Sequence, residues 1–418
     1  FHPDALYENL DSFEHLKQLR RRLNNTNTFA DAAAEIQSWY PTDDSVSSNT
    51  EATINNQISE HLPASNTVPD NLLDSILNTQ KNTLTSHSQP TQIDQLIRSI
   101  VAPYIEPKAD PRQDEMLAMV ESALQMHMRN ILHHPDFQTL ESAWQSIYFL
   151  IKRIETGSKL KIFLLDISKN ELQSDLAIEE ISKSRIYKLF YDTALGDSPW
   201  SVLVGNYNFK DTISDIALLE NIGTVAKQIG APFLSAADET LAGCESFDQT
   251  PDYSDWNYHT NIDAKNAWQA LRHSTVAPYI GLALPRFLLR LPYGKKSDPV
   301  DAFKFEEMSE NNSHNHYLWG NAAFLKLECL ARNFNQHGWQ MQLGEVFQTD
   351  NLPIHYYTDE GEIIGKPIAE IMLTEKGGEI LRENGLTPIW SVRNQDYIRS
   401  TDYLSISEPV QNIAGRWH

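Results

Sequence analysis

Basic side chains and cysteines are scarce in this 418-residue chain: 34 Lys and Arg stand against 56 Asp and Glu, the formal net charge is −22, and there are 2 cysteines, Cys244 and Cys329. So little Lys and Arg argues against a nucleic-acid surface, which neutralises phosphates with clustered basic side chains. Two thiols are too few for a disulfide framework or a four-thiolate zinc site, and they point to a reducing compartment. No apolar run reaches the roughly 18 to 20 residues that span a bilayer. The longest, residues 280–291, is interrupted by Pro285, Arg286 and Arg290. The start, Phe1-His2-Pro3-Asp4, has no basic region leading into an apolar one and does not read as a signal peptide. It lacks an initiator Met, so the sequence is expected to be a fragment or a processed chain.

Catalytic signatures are missing as well. There is no Gly-rich phosphate loop ending in Gly-Lys-Ser/Thr, no Gly-x-Gly-x-x-Gly, no Gly-x-Ser-x-Gly elbow and no His-Glu-x-x-His pair. His133-His134 are adjacent at a helix start and point apart, with no acidic or Cys pair to complete a metal set, so they read as structural. His314-x-His316 lies in a polar stretch and reads as surface decoration. Asp248, Asp252 and Asp255, with Glu239 and Glu245, form an acidic region carrying Tyr253 and Trp256. Paired carboxylates can do acid/base chemistry, but only in opposed environments around a cleft, so a solvated loop is expected. Lys295-Lys296 is either a basic contact for an acidic subunit surface or a solvated turn. No catalytic, cofactor-binding or metal-binding residue is therefore assigned.

What is present is patterned for packing. The composition is 41% hydrophobic, and a chain of this length supports two or three domains. Pro135 suits a first helical turn and Asp136 complements the helix dipole. Phe137, Leu140, Trp144, Ile147, Tyr148 and Ile151 then recur at three- and four-residue steps, predicting an amphipathic helix with an aromatic face. Gly157 is available for a left-handed cap, and residues 160–167 (LKIFLLDI) suit an interior strand. At the start, residues 1–23 carry a stripe of Leu6, Leu10, Phe13, Leu16, Leu19 and Leu23 that wants a partner surface. Residues 41–92 are rich in Ser, Thr, Asn, Asp and Gln and read as a polar linker, with a short docking helix at residues 69–77. Helices are expected at residues 93–105 and 110–132.

The rest alternates. Residues 201–207 (SVLVGNY) and 231–237 (APFLSAA) read as strands around a helix at 215–230, and 275–285 (TVAPYIGLALP) follows a helix containing Trp268. Residues 323–329 and 331–335 continue helically, 337–347 and 352–357 read as strands, 370–374 as a further strand, and 375–384 as a helix. The fold class is α/β, with α+β possible: a mixed sheet flanked by helices, with a helical N-terminal segment on a polar linker. The architectural candidates are Phe137, Leu140 and Trp144 on the first helix, and Gly205 with Tyr207 at a turn after SVLVG. They continue with Pro278, Gly281, Pro285 and Arg286 along APYIGLALPRF, and with Trp319 and Gly320 at a helix entry.

These motifs carry a resemblance. LHHPDFQTLESAWQSIYFLI followed by LKIFLLDISKNEL resembles the large subunit of the contractile sheath of bacterial type VI secretion systems (TssC, also called VipB). Gln145-Ser146 stands where that family usually has Arg-Gly. Collinear blocks at residues 198–209, 215–237, 268–294, 305–307 and 317–324 agree. Residues 1–23, with a Phe-x-Pro-Asp turn before a Leu-rich helix, resemble an element of the sheath small subunit (TssB). The resemblance implies residues 1–40 as a small-subunit-like segment, 41–92 as linker, and 93–418 as a large-subunit-like body of two subdomains.

It also implies a structural, non-enzymatic, oligomeric component in the bacterial cytoplasm. Its partners would be the sheath small subunit or other sheath and baseplate proteins, with the inner tube protein and an AAA+ unfoldase further off, and no cofactor, nucleic acid or membrane span. The family's large subunit usually continues beyond the point where this sequence stops, so polymerisation by this chain alone is in doubt and an adaptor or cap role is open. The rival expectation is an enzyme or regulator built on a sheath-derived scaffold, which a deep pocket at residues 248–256 would favour.

Overall fold

The computed structural model describes residues 1–39, 112–194, 199–256, 261–308, 313–344, 346–359 and 361–417. The linker, its docking helix and the helix expected at 93–105 lie outside the described residues. The chain divides into two units, Glu14–Val120 and a larger one made of Phe1–Phe13 with Glu121–His418.

In the smaller unit, α2 (Glu14–Leu23) and α3 (Phe29–Gln37) form a helical pair. Leu19, Leu23, Phe29, Ala32 and Ile36 are buried, and Arg22 reaches Glu35 at 2.6 Å.

The larger unit begins with α1 (Pro3–Asn9). The long helix α4 (Gln113–Leu132), of which residues 113–120 fall in the smaller unit and 121–132 in the larger, carries Met116, Val120, Leu124, Met128 and Leu132 at four-residue steps, all buried. After it come α5 (Pro135–Arg153), α6 (Lys169–Leu176) and α7 (Arg185–Ala194). Helices α1 and α5 start alike. In both, a His at the N-cap accepts the Asp N–H two residues on, at 3.3 Å, and Pro occupies the first turn. This repeat of His-Pro-Asp spares a backbone donor that would otherwise lack a partner.

The α/β core then alternates: β1 (Leu203–Phe209), α8 (Ile213–Ile229), β2 (Phe233–Ala237), α9 (Ile262–Arg272), β3 (Ile280–Leu284). It continues through β4 (Phe287–Leu288), β5 (Trp319–Gly320), α10 (Ala322–His337), β6 (Phe347–Thr349), β7 (Tyr356–Asp359), β8 (Glu362–Gly365), α11 (Glu375–Glu383), β9 (Leu386–Ser391) and β10 (Ile398–Ser400). One mixed sheet has the order β1-β2-β3-β9-β10-β6. Its β1, β2, β3 and β9 are parallel, and β10 pairs antiparallel with both β9 and β6. Both faces are covered, since β2 and β3 are buried throughout and two hydrophobic clusters flank them. The fold is therefore α/β, as the alternation predicts.

Several expectations change. Residues 160–167 form no strand, and Phe163, Leu164 and Leu165 are 66%, 65% and 48% exposed. Among the described residues, 161–166 make no backbone hydrogen bond and no strand lies alongside to pair with them, although the run has strand composition. Gly157 is not a left-handed cap; α5 ends at Arg153 with Ile154 as its C-cap, and the Gly157 N–H donates to Leu160 O at 2.8 Å. Residues 370–374 are no strand either, because Glu370 is drawn into an ion pair and the sheet position goes to β9. Pro388 hides β9 in the sequence, yet its missing N–H is tolerated beside parallel Leu284. The strand expected at 337–347 begins as a 3-10 turn, Gly338–Gln340, and only Phe347–Thr349 pairs.

Candidate assembly surface

Helix α5 turns its largest apolar side chains outward. Leu140, Trp144, Tyr148 and Ile151 are 52%, 55%, 57% and 63% exposed. At steps of four, four and three residues they form one stripe. The opposite face buries Glu141, Ser146 and Leu150. Trp144 and Leu140, read from the sequence as architectural candidates, thus lie on the exposed face of α5. Phe137 is half-buried and meets the Phe1 ring edge-on at 5.7 Å. Beyond α5, the exposed Phe163 packs edge-on against Trp200 at 5.3 Å, and Tyr207 Oη donates to Ile167 O at 2.8 Å. An exposed aromatic stripe and an unpaired, strand-like apolar segment thus adjoin in sequence, a combination suited to protein docking by side chains and by added strand pairing.

The surface is braced from beneath by a buried ion triad. Arg290 reaches Glu141 at 2.7 Å and 3.2 Å, and Glu307 at 2.8 Å and 3.1 Å. Both carboxylates are almost fully buried. Glu307 also accepts the Tyr293 N–H at 2.7 Å, and the guanidinium lies 4.2 Å from the centre of the Tyr293 ring. Burial tends to raise the Glu307 carboxyl, but the Arg290 charge and the hydrogen bonds outweigh it and leave the group below its ordinary range. His133 stacks on His316 at 4.0 Å, with Nε2 3.7 Å from Glu307. Such a triad ties α5 to the 290–307 segment with fixed geometry, since a guanidinium fork accepts few alternative arrangements.

A second polar cluster gathers where β2 and β3 end. Arg286 holds Glu370 through its Nε at 3.1 Å and 3.0 Å and through a closer contact from Nη2. His314 Nε2 lies 3.0 Å from the same carboxylate, and its Nδ1 lies 3.3 Å from Asp248 and 3.3 Å from Lys366 Nζ. Burial acts to raise Glu370, but the His314 hydrogen bond and the Arg286 charge hold it down at about 2. Glu239, 3.9 Å from Arg286, is pushed up to about 7 by burial and by the Glu370 charge. His314 is thus no surface decoration: it is 8% exposed, stacked on Trp319, and its carbonyl accepts the Trp319 indole N–H at 3.0 Å.

The acidic loop is likewise spent on local structure. Asp252 accepts the Ser254 N–H at 2.9 Å, and Trp256 donates to Thr250 O at 3.0 Å while packing on Phe247. Among the described residues, no group of three His, Cys, Asp or Glu is disposed to hold a metal ion.

The remaining candidates sit at close contacts. Gly205 lies within β1 rather than at a turn, and a Cβ there would come 2.6 Å from the Phe233 ring. The carbonyls of Gly205 and Tyr207 both accept from Ser235 Oγ, at 2.9 Å and 2.8 Å, where the β1–β2 register shifts. Pro278 is the second residue of the 3-10 turn Ala277–Tyr279 before β3. Gly281 admits Leu234 and Ile413, and Leu284-Pro285 is cis. Trp319-Gly320 pairs with β4, after which Asn321 caps α10 by accepting the Ala323 N–H at 2.9 Å. Lys295-Lys296 are exposed. Sequence reasoning missed Glu141, Arg290 and Glu307. Arg290 alone of the three carries a signal, a charge embedded in an apolar run, whereas Glu141 and Glu307 lie in mixed polar stretches.

The sequence model of the family described as "EvpB/VC_A0108, tail sheath N-terminal domain" (VipB) matches residues 114–403. The protein named "Type VI secretion system sheath protein TssC1" from Pseudomonas aeruginosa is 33% identical over 308 residues, covering 71% of this chain and 62% of that protein. This chain thus spans less than two thirds of the length of that relative. Among the described residues, no helix is long and apolar enough to cross a membrane.

Proposed function

The chain belongs to the VipB (TssC) family of type VI secretion tail-sheath proteins, and from that membership we propose that it is a structural, non-catalytic component of a contractile sheath or of an assembly attached to one, in the bacterial cytoplasm. Its exposed α5 stripe and the adjoining residues 160–167 form the docking surface for the sheath small subunit or an equivalent sheath or baseplate protein. The partner covers Leu140, Trp144, Tyr148 and Ile151 and adds a strand along residues 161–166. The observation that carries this reading is the exposure of four large apolar side chains in one stripe on α5, which a lone protein has no reason to maintain. Residues 1–40 act as a small-subunit-like segment, 41–92 as a tether and 93–418 as the body. The inner tube protein and an AAA+ unfoldase are partners of the assembled polymer, and Lys295-Lys296 belong to its polar contacts.

Co-expression with the small subunit tests the proposal. The wild-type chain is expected to co-purify with it, and a Trp144→Glu, Leu164→Asp double variant to lose it while melting like wild type. Equal recovery of the partner by both chains would remove the surface from consideration.

A further inference from the structure

The larger unit is discontinuous. Phe1–Phe13 groups by contact with Glu121–His418, although the covalent path between them runs through the other unit. Its first thirteen residues reach residues 293–303 through side-chain contacts. Asp4 and the backbone N–H of Asp301 that donates to it are 297 residues apart in sequence.

The contacts form a built receptor. The Asp4 carboxylate accepts two consecutive backbone N–H groups, from Asp301 at 3.1 Å and from Ala302 at 2.9 Å. Paired donors of this kind in a tight bend are a favourable seat for an anion. His2 caps the same helix and meets the Tyr293 ring edge-on at 5.1 Å, with Nε2 3.8 Å from Asp298. Tyr7 packs on Phe303 at 5.2 Å, Phe13 on His127 at 4.6 Å, and Ser12 Oγ lies 3.0 Å from His127 Nε2. Phe13 and Phe303 are buried. Tyr293 in turn contacts Arg290 of the buried triad, so the receptor is continuous with the bracing beneath α5.

We propose that residues 293–305, with His127 and Phe137, form a peptide-binding site for a helix that starts His-Pro-Asp, and that the chain's own Phe1–Phe13 occupies it intramolecularly, shutting out the same kind of segment from another protein. This deepens the docking reading above by separating two surfaces: the α5 stripe is open to a partner, whereas the receptor at 293–305 is filled from within. A tethered ligand competes at an effective concentration of about millimolar, so a free peptide of modest affinity cannot displace it.

The test needs no sheath partner, so its failure would be distinct from failure of the α5 proposal. A fluorescent peptide of residues 1–13 is titrated into the full wild-type chain and into an Asp4→Ala, Tyr7→Ala variant, with amide exchange followed at Asp301 and Ala302. The variant is expected to bind the peptide at least about tenfold more tightly than the wild type. Exchange at those two amides should be faster in the variant, and slow again on adding peptide. An Asp4→Asn chain, which keeps one oxygen acceptor, should lie between. Equal peptide affinity for the three chains, or unchanged exchange at Asp301 and Ala302 in variants whose β2 and β3 amides remain protected, would overturn the proposal.

Discussion

Ser146 is fully buried on α5, and its hydroxyl finds no hydrogen-bond partner. It stands where the sheath pattern usually has Gly, so the site tolerates a smaller side chain. Because an unpaired buried hydroxyl carries its desolvation cost without return, Ser146→Ala is expected to raise stability by about 1 kcal/mol in urea unfolding. A loss of stability would mean that the hydroxyl is engaged. Arg290 is the opposite case: replacing it with Met leaves Glu141 and Glu307 buried without a counter-charge. The expected cost is about 3–5 kcal/mol, read from the same unfolding curves, and a change under about 1 kcal/mol would refute the bracing role. Glu239 makes a pH prediction. Its folded carboxyl titrates at about 7, well above the ordinary value, so the folded state holds a proton that the unfolded chain has already released. Its contribution is therefore fully present below about pH 4.3 and is lost as pH rises toward 7. Glu370, held down at about 2, has the reverse sign: its contribution is present above the ordinary carboxyl value and is lost as pH falls through 2. Unfolding midpoints between pH 5 and 8 should thus decline in wild type relative to Glu239→Gln, and parallel profiles would contradict the assignment.

Among the elements, α5 and the run that follows it show what a sequence discloses and what it withholds. Pro135, Asp136 and the three- and four-residue spacing from Phe137 to Ile151 identify the helix within its observed bounds. Yet the same spacing marks an apolar face without saying whether this chain or another covers it, and Trp144 and Leu140 are exposed on it. LKIFLLDI misleads for the same reason, since a strand needs a neighbour and its composition is equally suited to one supplied by another protein. Strands β1, β2 and β3 were legible because consecutive ones pair, with α8 between β1 and β2 and α9 between β2 and β3. The ion clusters were not, because Glu141 and Arg290 are 149 residues apart and Arg286 and Glu370 are 84 apart. The outward stripe predicts a split between stability and assembly. Trp144→Ala with Tyr148→Ala should shift unfolding by no more than about 0.5 kcal/mol per site while abolishing recovery of the small subunit. A large destabilisation would place those rings in an internal role.

At the scale of the whole molecule, the mixed sheet with buried faces, the Arg290 and Arg286 clusters and the intramolecular His-Pro-Asp contact make a braced α/β body. The family to which it belongs is described as a tail sheath N-terminal domain. The central claim is that α5 and residues 161–166 are left open for a sheath partner. Hydrogen exchange of the chain, alone and with the small subunit, tests it most directly. The account predicts fast exchange at residues 161–166 in the free chain and slow exchange in the complex, the signature of an added strand. A complex that forms while those amides exchange as fast as before would contradict it.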